Sequence, residues 1–142
     1  MRVMVFVKAT DDSEQGLPPT EEMTEMFEAM GKFNDELIKA GVMLGGDGLK
    51  PSSKGKRVAF DGPSRTVIDG PFAETRELVA GFWLWEVKDM AEAVEWVKRC
   101  PNPMFGPSEI EIRPVVDASD FGEALEPALA AEMEKIRKNE QL

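Results

Sequence analysis

The alternation of apolar and polar side chains predicts four strands in the larger, N-terminal part of the chain. Residues 2–8 and 78–87 carry bulky apolar side chains at both odd and even positions, which is typical of strands covered on both faces. Residues 109–115 alternate isoleucine with charged side chains, so one face of this strand should be polar. A shorter strand is predicted at residues 42–44.

Two further segments repeat apolar residues at the spacing of one helix face. The first helix should begin after Thr20 and end at Gly41, with a stripe formed by Met23, Met26, Phe27, Met30, Phe33, Leu37 and Ile38. The second should begin after Asp89, which forms a capping box with Glu92, and end before Pro101. A stripe rich in Met and Phe can line a pocket, although a helix core is its more usual role.

Glycine and proline mark the connections between these elements. The glycine-dense bend at residues 45–48 should let the backbone pass close to another group. Short strands at 57–60 and 65–69 flank a Gly-Pro turn and predict a β-hairpin. This hairpin leads directly into the run 69–77.

The run 69–77 begins with Asp69-Gly70-Pro71-Phe72, where glycine permits and proline enforces a sharp reversal. Four ionisable side chains follow one another closely here, namely Asp69, Glu74, Arg76 and Glu77. Two interpretations are open. The turn either ends a strand and caps the following backbone, or it forms part of a ligand site.

The tail from residue 117 predicts one more helix, beginning near Pro127, with an apolar stripe of Leu125, Leu129, Met133 and Ile136. This helix should lie on the surface or on a partner. The chain is therefore divided into a domain at 1–116 and a helical extension at 117–142.

Composition narrows the classes of function. The chain has 142 residues, the size of one domain, and a net charge of −10, which disfavours nucleic acid and anionic membrane surfaces as partners. The single cysteine, Cys100, cannot form an internal disulfide, and no leader or membrane-length apolar run is evident, so a cytoplasmic location is expected.

The residues that are missing restrict the chemistry. The sequence has no histidine and no tyrosine, which removes the commonest general base and the commonest zinc ligand. Gly45-Gly46-Asp47-Gly48 lacks the spacing of the phosphate-binding glycine motifs. The prediction is therefore no cofactor and no assigned metal site, with metal use left open because clustered Asp and Glu side chains could bind a hard cation.

The order of elements is strand, helix, strand, hairpin, strand, helix, strand, which predicts an α+β, ferredoxin-like βαββαβ sheet with an inserted hairpin. Two helices can cover only one face of such a sheet. The other face, carrying side chains such as Met4, Phe6, Trp83 and Trp85 according to the register, would be exposed in a monomer. A homodimer that packs sheet against sheet would cover it.

The run from Val67 to Glu77, the following Gly81-Phe82 and the late segment from Glu109 to Pro114 resemble the DGPF-motif proteins of the YCII-related group. The resemblance extends over about residues 1–116. It implies a dimeric α+β barrel, a cleft between helix and sheet or within the barrel, and mostly unassigned function, with some members linked to alternative sigma factors. Better-known relatives carry a paired histidine and aspartate; here only Asp69 has a matching position.

Three functions are consistent with these patterns. The first is a homodimer that binds a small molecule near the DGPF turn, with Trp83, Trp85, Arg76, Glu111 and Arg113 as ligand-binding residues. The alternative is a purely structural role, in which the tryptophans are core residues and Glu111 and Arg113 form a cross-strand ion pair.

The second function is an enzyme of the isomerase, lyase or monooxygenase kind, with Asp69 as the catalytic base and Arg113 or Arg76 holding an anionic substrate. A carboxylate base near neutral pH must be withdrawn from water. The third is a regulatory interaction module that uses the acidic surface and the C-terminal helix.

Overall fold

The structure is a computed structural model that describes residues 1–16 and 19–139. Its regular elements follow the chain in this order: β1 (Arg2–Lys8), α1 (Asp11–Gln15), α2 (Glu21–Lys39), β2 (Met43–Gly48), β3 (Lys56–Asp61), β4 (Ser64–Asp69), β5 (Val79–Glu86), α3 (Met90–Arg99), β6 (Ile110–Pro114) and α4 (Glu126–Lys138). Short 3₁₀ turns occur at Ser52–Lys54, Thr75–Glu77 and Ala118–Phe121.

Four strands form one antiparallel sheet in the order β2-β5-β1-β6. This order confirms the predicted ferredoxin-like α+β arrangement, with β1 and β5 at the centre. The sheet is open, and the described part of the chain contains no closed barrel. The hairpin of β3 and β4 forms a second, separate sheet.

The register of the two central strands decides which side chains face the helices. Val3 lies opposite Trp85, and Val5 lies opposite Trp83, so all four share the buried face. Because alternate residues point to opposite faces, Met4, Phe6, Phe82 and Leu84 lie on the other side of the sheet and do not belong to the main core cluster. Trp83 and Trp85 therefore lie on the helix-covered face and not on the uncovered face, which the sequence allowed as one of two registers.

Both long helices begin at the predicted caps. The Thr20 hydroxyl oxygen accepts a hydrogen bond from the Met23 N–H at 3.2 Å, and the Asp89 carboxylate accepts one from the Glu92 N–H at 2.9 Å. Gly41, just beyond α2, has a positive φ of 73°, as predicted for the end of that helix.

The predicted stripe of α2 splits into two parts. Phe33 and Leu37 are buried in the core, where the Phe33 ring meets the rings of Trp83, Trp85 and Trp96 at centroid distances of 6.0 to 6.3 Å. Phe27 is 65% exposed and Ile38 is 62% exposed, so the prediction of one continuous core stripe is wrong. The N-terminal half of α2 faces open space beside the sheet instead of packing tightly on it.

The prediction of a short strand at 42–44 followed by a bend is also wrong in part, because β2 continues to Gly48. Gly46 pairs with Trp83 and Gly48 pairs with Gly81, so the glycines belong to the ladder. Glycine allows the strands to approach closely. Because it has no side chain, the alternation of apolar and polar residues that marks other strands is missing from this one.

The predicted hairpin and tail helix are both present. Every residue of β3 and β4 is exposed, including the apolar side chains of Val58, Phe60, Val67 and Ile68. The helix α4 begins at Glu126 with Pro127 in its first turn and contains no buried residue. It is a surface helix that contacts the preceding 3₁₀ turn.

A candidate binding cleft between α2 and the sheet

A cavity of about 710 Å³ lies between the N-terminal half of α2 and the edge of the sheet formed by β2 and β5. This volume falls within the range of small-molecule sites. The wall is mostly apolar and consists of Val7, Ser13, Gly16, Pro19, Met23, Met26, Phe27, Met30, Asn34, Met43, Gly46, Asp47, Gly48, Leu49, Pro51, Ala80, Gly81, Phe82, Trp83, Pro103 and Met104.

The roof of the cavity is rich in methionine. Met23, Met26 and Met30 come from α2, and Met43 and Met104 contribute from β2 and the loop before β6. Methionine is unbranched and polarizable, so its side chain adapts to ligands of different shape. The apolar stripe of α2, which in most helices packs into the core, therefore forms an adaptable wall of the cavity here.

The floor of the cavity is made of glycine. Gly46, Gly48 and Gly81 lie on the face of the sheet that also carries Trp83 and Val7. A Cβ added to Gly48 would meet no atom within 4 Å, because open cavity lies above it. At Gly48 the missing side chain leaves the space between α2 and the sheet open, whereas at Gly46 the absence of a Cβ makes room for the Trp83 side chain in the wall.

The principal polar contact in the wall joins α2 to β5. The Trp83 indole N–H donates a hydrogen bond to Asn34 Oδ1 at 3.0 Å, and Asn34 is half-buried. Asp47 also borders the cavity, but it is the cross-strand partner of Phe82, which in turn pairs with Phe6. By alternation its carboxylate is therefore directed toward the opposite face of the sheet.

The DGPF turn lies at the base of the hairpin. Asp69 pairs with Lys56 across the two strands at 2.5 Å, and its side chain is 74% exposed. The Gly70–Pro71 peptide bond is cis. The backbone of Gly70 approaches Ser52 so closely that an added Cβ would be 1.8 Å from the Ser52 carbonyl oxygen, which makes glycine necessary here.

Ser52 connects this turn to the N-terminal part of the chain. Its hydroxyl oxygen accepts a hydrogen bond from the Phe72 N–H at 3.0 Å, and its own O–H donates to Glu14 Oε2. The Ser52 N–H donates to Glu14 Oε1 at 2.9 Å. The motif thus serves as an anchor that joins α1 to the base of the hairpin, beside the cavity residues Ser13 and Pro51.

The structure separates the residues that sequence analysis grouped into one site. Trp83 lines the cavity, whereas Trp85 is 0% exposed and its buried indole N–H has no hydrogen-bond partner among the described residues. Glu111 and Arg113 pair with Phe6 and Met4, on the opposite face of the sheet.

The remaining candidates are also outside the cavity. Arg76 is exposed in the 3₁₀ turn after the motif, and Glu111 forms an ion pair with Lys8 at 3.7 Å. Asp69 is open to solvent, so the withdrawal from water that a catalytic base would need is absent at this carboxylate.

Sequence analysis missed Asn34, Ser52 and Glu14. Ser52 and Glu14 are 38 positions apart, and no periodic pattern links residues at such a distance. Signals for the cavity did exist, in the Met-rich stripe and in the glycines at 45–48, but the sequence does not show that these two segments face each other.

Cys100 is a poor candidate for a nucleophile. Burial raises the pKa of its thiol from 9.0 to about 12, and the S–H donates a hydrogen bond to the Pro101 carbonyl oxygen at 3.2 Å. Within residues 1–16 and 19–139, no group of three or more His, Cys, Asp or Glu side chains is placed to bind a metal. No helix in this part of the chain is long and apolar enough to span a bilayer.

Fold and cavity together define an α+β protein with a ferredoxin-like sheet and an apolar cleft under its first long helix. The YCII-related domain matches residues 1–119, and the chain belongs to this family. An uncharacterized protein of Rhizobium meliloti (strain 1021) is 25% identical over 105 residues, which cover 74% of this chain and 85% of the relative.

Proposed function

We propose that this protein binds a small, mainly apolar molecule in the cleft between α2 and the sheet. The observation that carries the proposal is the pairing of a methionine roof with a glycine floor. Glycines in a strand weaken the sheet and leave a volume that tight packing would normally remove. A ligand that fills the cavity would restore the missing apolar contacts.

The direct test is to fill the cavity from its floor. In Gly48→Phe the new ring would enter the open space above β2, because nothing lies within 4 Å of that Cβ. Binding of the neutral fluorophore N-phenyl-1-naphthylamine should weaken at least about tenfold. Gly106→Phe is the matched control, since Gly106 is exposed, lies outside the cavity wall and also has free space.

Both variants should retain the far-ultraviolet circular dichroism of the unmodified protein. Undiminished fluorophore binding by Gly48→Phe would show that the cleft is not the binding site. A failure of the unmodified protein to bind the fluorophore or any hydrophobic probe at submillimolar concentration would remove the proposal altogether.

The second part of the proposal is a homodimer that packs the uncovered faces of two sheets together into a dimeric α+β barrel. Its support is the row of apolar side chains on the face opposite the helices, where Met4, Phe6 and Phe82 are half-buried although no helix packs on them, and Leu84 is buried between its neighbours. Phe6→Glu should reduce the mass measured by sedimentation to that of a monomer. Phe105→Glu, at an exposed loop residue, should leave it unchanged, and a monomeric unmodified protein would disprove the dimer.

The division into a domain at 1–116 and an extension at 117–142 belongs to the same proposal, and the family match ending at residue 119 supports it. Removal of 117–142 should leave the dimer intact if α4 lies outside the self-interface. A cytoplasmic location remains a prediction from composition. The catalytic alternative has no support from Asp69, which pairs with Lys56 in solvent.

A further inference from the structure

The hydrogen bond between Asn34 and Trp83 fixes the orientation of the Asn34 amide. An indole nitrogen can only donate, so the Asn34 atom at 3.0 Å from Trp83 Nε1 must be the carbonyl oxygen. The amide nitrogen of Asn34, with its two N–H groups, then occupies the other end of the same planar group. Trp83 itself is held by its ring contact with Phe33, so this orientation is supported by the core.

We propose that Asn34 gives the cleft a fixed hydrogen-bond donor that selects uncharged ligands carrying a carbonyl or ether oxygen. The inference rests on the proposed function, because it needs the cleft to be the binding site. It adds the chemical class of ligand: a mostly hydrocarbon molecule with one hydrogen-bond acceptor.

The Asn34 N–H groups are available to a ligand. Among the residues that the structure describes, no protein acceptor bonds to Asn34 Nδ2, and the residue forms part of the cavity wall in the middle of α2. In the empty cleft water can satisfy these donors. A hydrocarbon that displaces the water leaves them unpaired, whereas a ligand oxygen replaces the lost hydrogen bond.

The part of the wall that the structure describes offers no partner for a charged ligand. Asp47 is the ionisable residue among those that border the cavity in the described part of the chain, and its place in the ladder beside Phe82 turns its carboxylate to the other face. A carboxylate or ammonium group entering the cleft would lose hydration without gaining a counter-charge. Charge is therefore selected against, and the amide donor becomes the main source of polar specificity.

The size of the effect follows from the cost of an unpaired donor. Sites that hydrogen-bond a ligand group discriminate against the analogue lacking it because their own polar group is left without a partner. We expect the acceptor-bearing ligand to bind about 10 to 100 times more tightly than a hydrocarbon of the same length.

The test compares two ligands of matched shape, 2-undecanone and undecane, by displacement of N-phenyl-1-naphthylamine from the full chain. The ketone should displace the fluorophore at least about tenfold more effectively. In Asn34→Asp a carboxylate oxygen can still accept from Trp83, but the N–H donors are gone, so the preference for the ketone should disappear.

Asn139→Asp is the matched control, because it makes the same chemical change at an exposed residue beyond α4. It should keep the ketone preference. Equal displacement by ketone and alkane, or a preference that survives in Asn34→Asp, would overturn the role of Asn34 while leaving a cleft that binds the fluorophore. Absence of fluorophore binding would instead remove the proposed function on which the inference rests.

Discussion

The indole ring of Trp83 lies directly over the backbone of Gly46 on the neighbouring strand. An added Cβ at Gly46 would come within 2.9 Å of the indole Cδ1 atom and within 2.6 Å of the Phe82 carbonyl oxygen. The backbone oxygen cannot move away cheaply, since it belongs to the central strand β5. This contact fixes one wall of the cleft.

Gly46→Ala should lower the free energy of unfolding by about 1–3 kcal/mol, as overpacking does in other cores. Gly48→Ala provides the comparison, since it adds the same methyl group two residues later on the same face, where nothing lies within 4 Å. Its change should stay within about 0.5 kcal/mol. Urea unfolding measures both, and equal losses in the two variants would contradict the proposed contact.

Ser52→Ala should destabilise the protein because it removes the hydroxyl that accepts from the Phe72 N–H and donates to Glu14. A loss of about 1–3 kcal/mol is expected, since partners of a half-buried hydroxyl are left unpaired. Ser53→Ala, at the exposed neighbouring residue, is the matched control. Comparable stabilities of these two variants in urea would show that the anchor contributes little.

The hairpin should open more readily than the main sheet. All residues of β3 and β4 are exposed, and two-stranded sheets without a packed face are marginally stable in water. Hydrogen exchange should therefore be fast for amides of β3 and β4 and slow for those of β1 and β5. Protection of the Ala59 amide, which lies at a hydrogen-bonded position of the hairpin, equal to that of Val5 would contradict this expectation and indicate that the hairpin is covered in solution.

Cys100 should react slowly with thiol reagents in the folded protein. Burial raises the pKa of the thiol from 9.0 to about 12, so the folded protein at pH 8 holds about a thousandfold less thiolate than an exposed cysteine would. Rapid modification at the rate seen in urea would rule out this burial.

The same shift predicts a dependence of stability on pH. A thiol whose pKa is raised on folding stabilises the native state fully below pH 9.0, and this contribution is lost as the pH rises toward about 12. Between these values the unfolded chain ionises its thiol while the folded chain does not. Cys100→Ser should therefore lose stability less steeply than the unmodified protein over this interval, as measured by urea unfolding at several pH values.

Sequence patterns predicted the parts of the fold that depend on local chemistry. Thr20 and Asp89 could be predicted as caps because each side-chain oxygen accepts a hydrogen bond from the N–H only three residues later, so the interaction is visible in the local sequence. The order of elements was sufficient for the sheet topology. By contrast, alternation put Trp83 and Trp85 on the same face but could not say whether the helices cover that face, because both faces of the strand carry apolar side chains.

The candidate site was less predictable, because it is a cavity that the side chains of α2 and the sheet leave unfilled. Residues of α2 such as Met26 and Met30 have the spacing of a core helix, and only the glycines of β2 and β5 explain why they border a cavity. The charged residues were grouped with Asp69 because they are near it in the sequence or because their side chains could bind a polar ligand. The register of the main sheet places Glu111 and Arg113 on the face opposite Trp83, and Asp69 belongs to the separate hairpin.

The strand order also has a kinetic consequence. β1 leaves the ribosome before the other described strands, yet its neighbours are β5 and β6, which pair Val5 with Trp83 and with Ile112. Contacts between segments so distant in sequence form late and slowly. Until β5 is synthesised, β1 has no neighbouring strand and its valines can contact only α2, so this protein should depend more on protection from aggregation during translation than a helical protein of the same length.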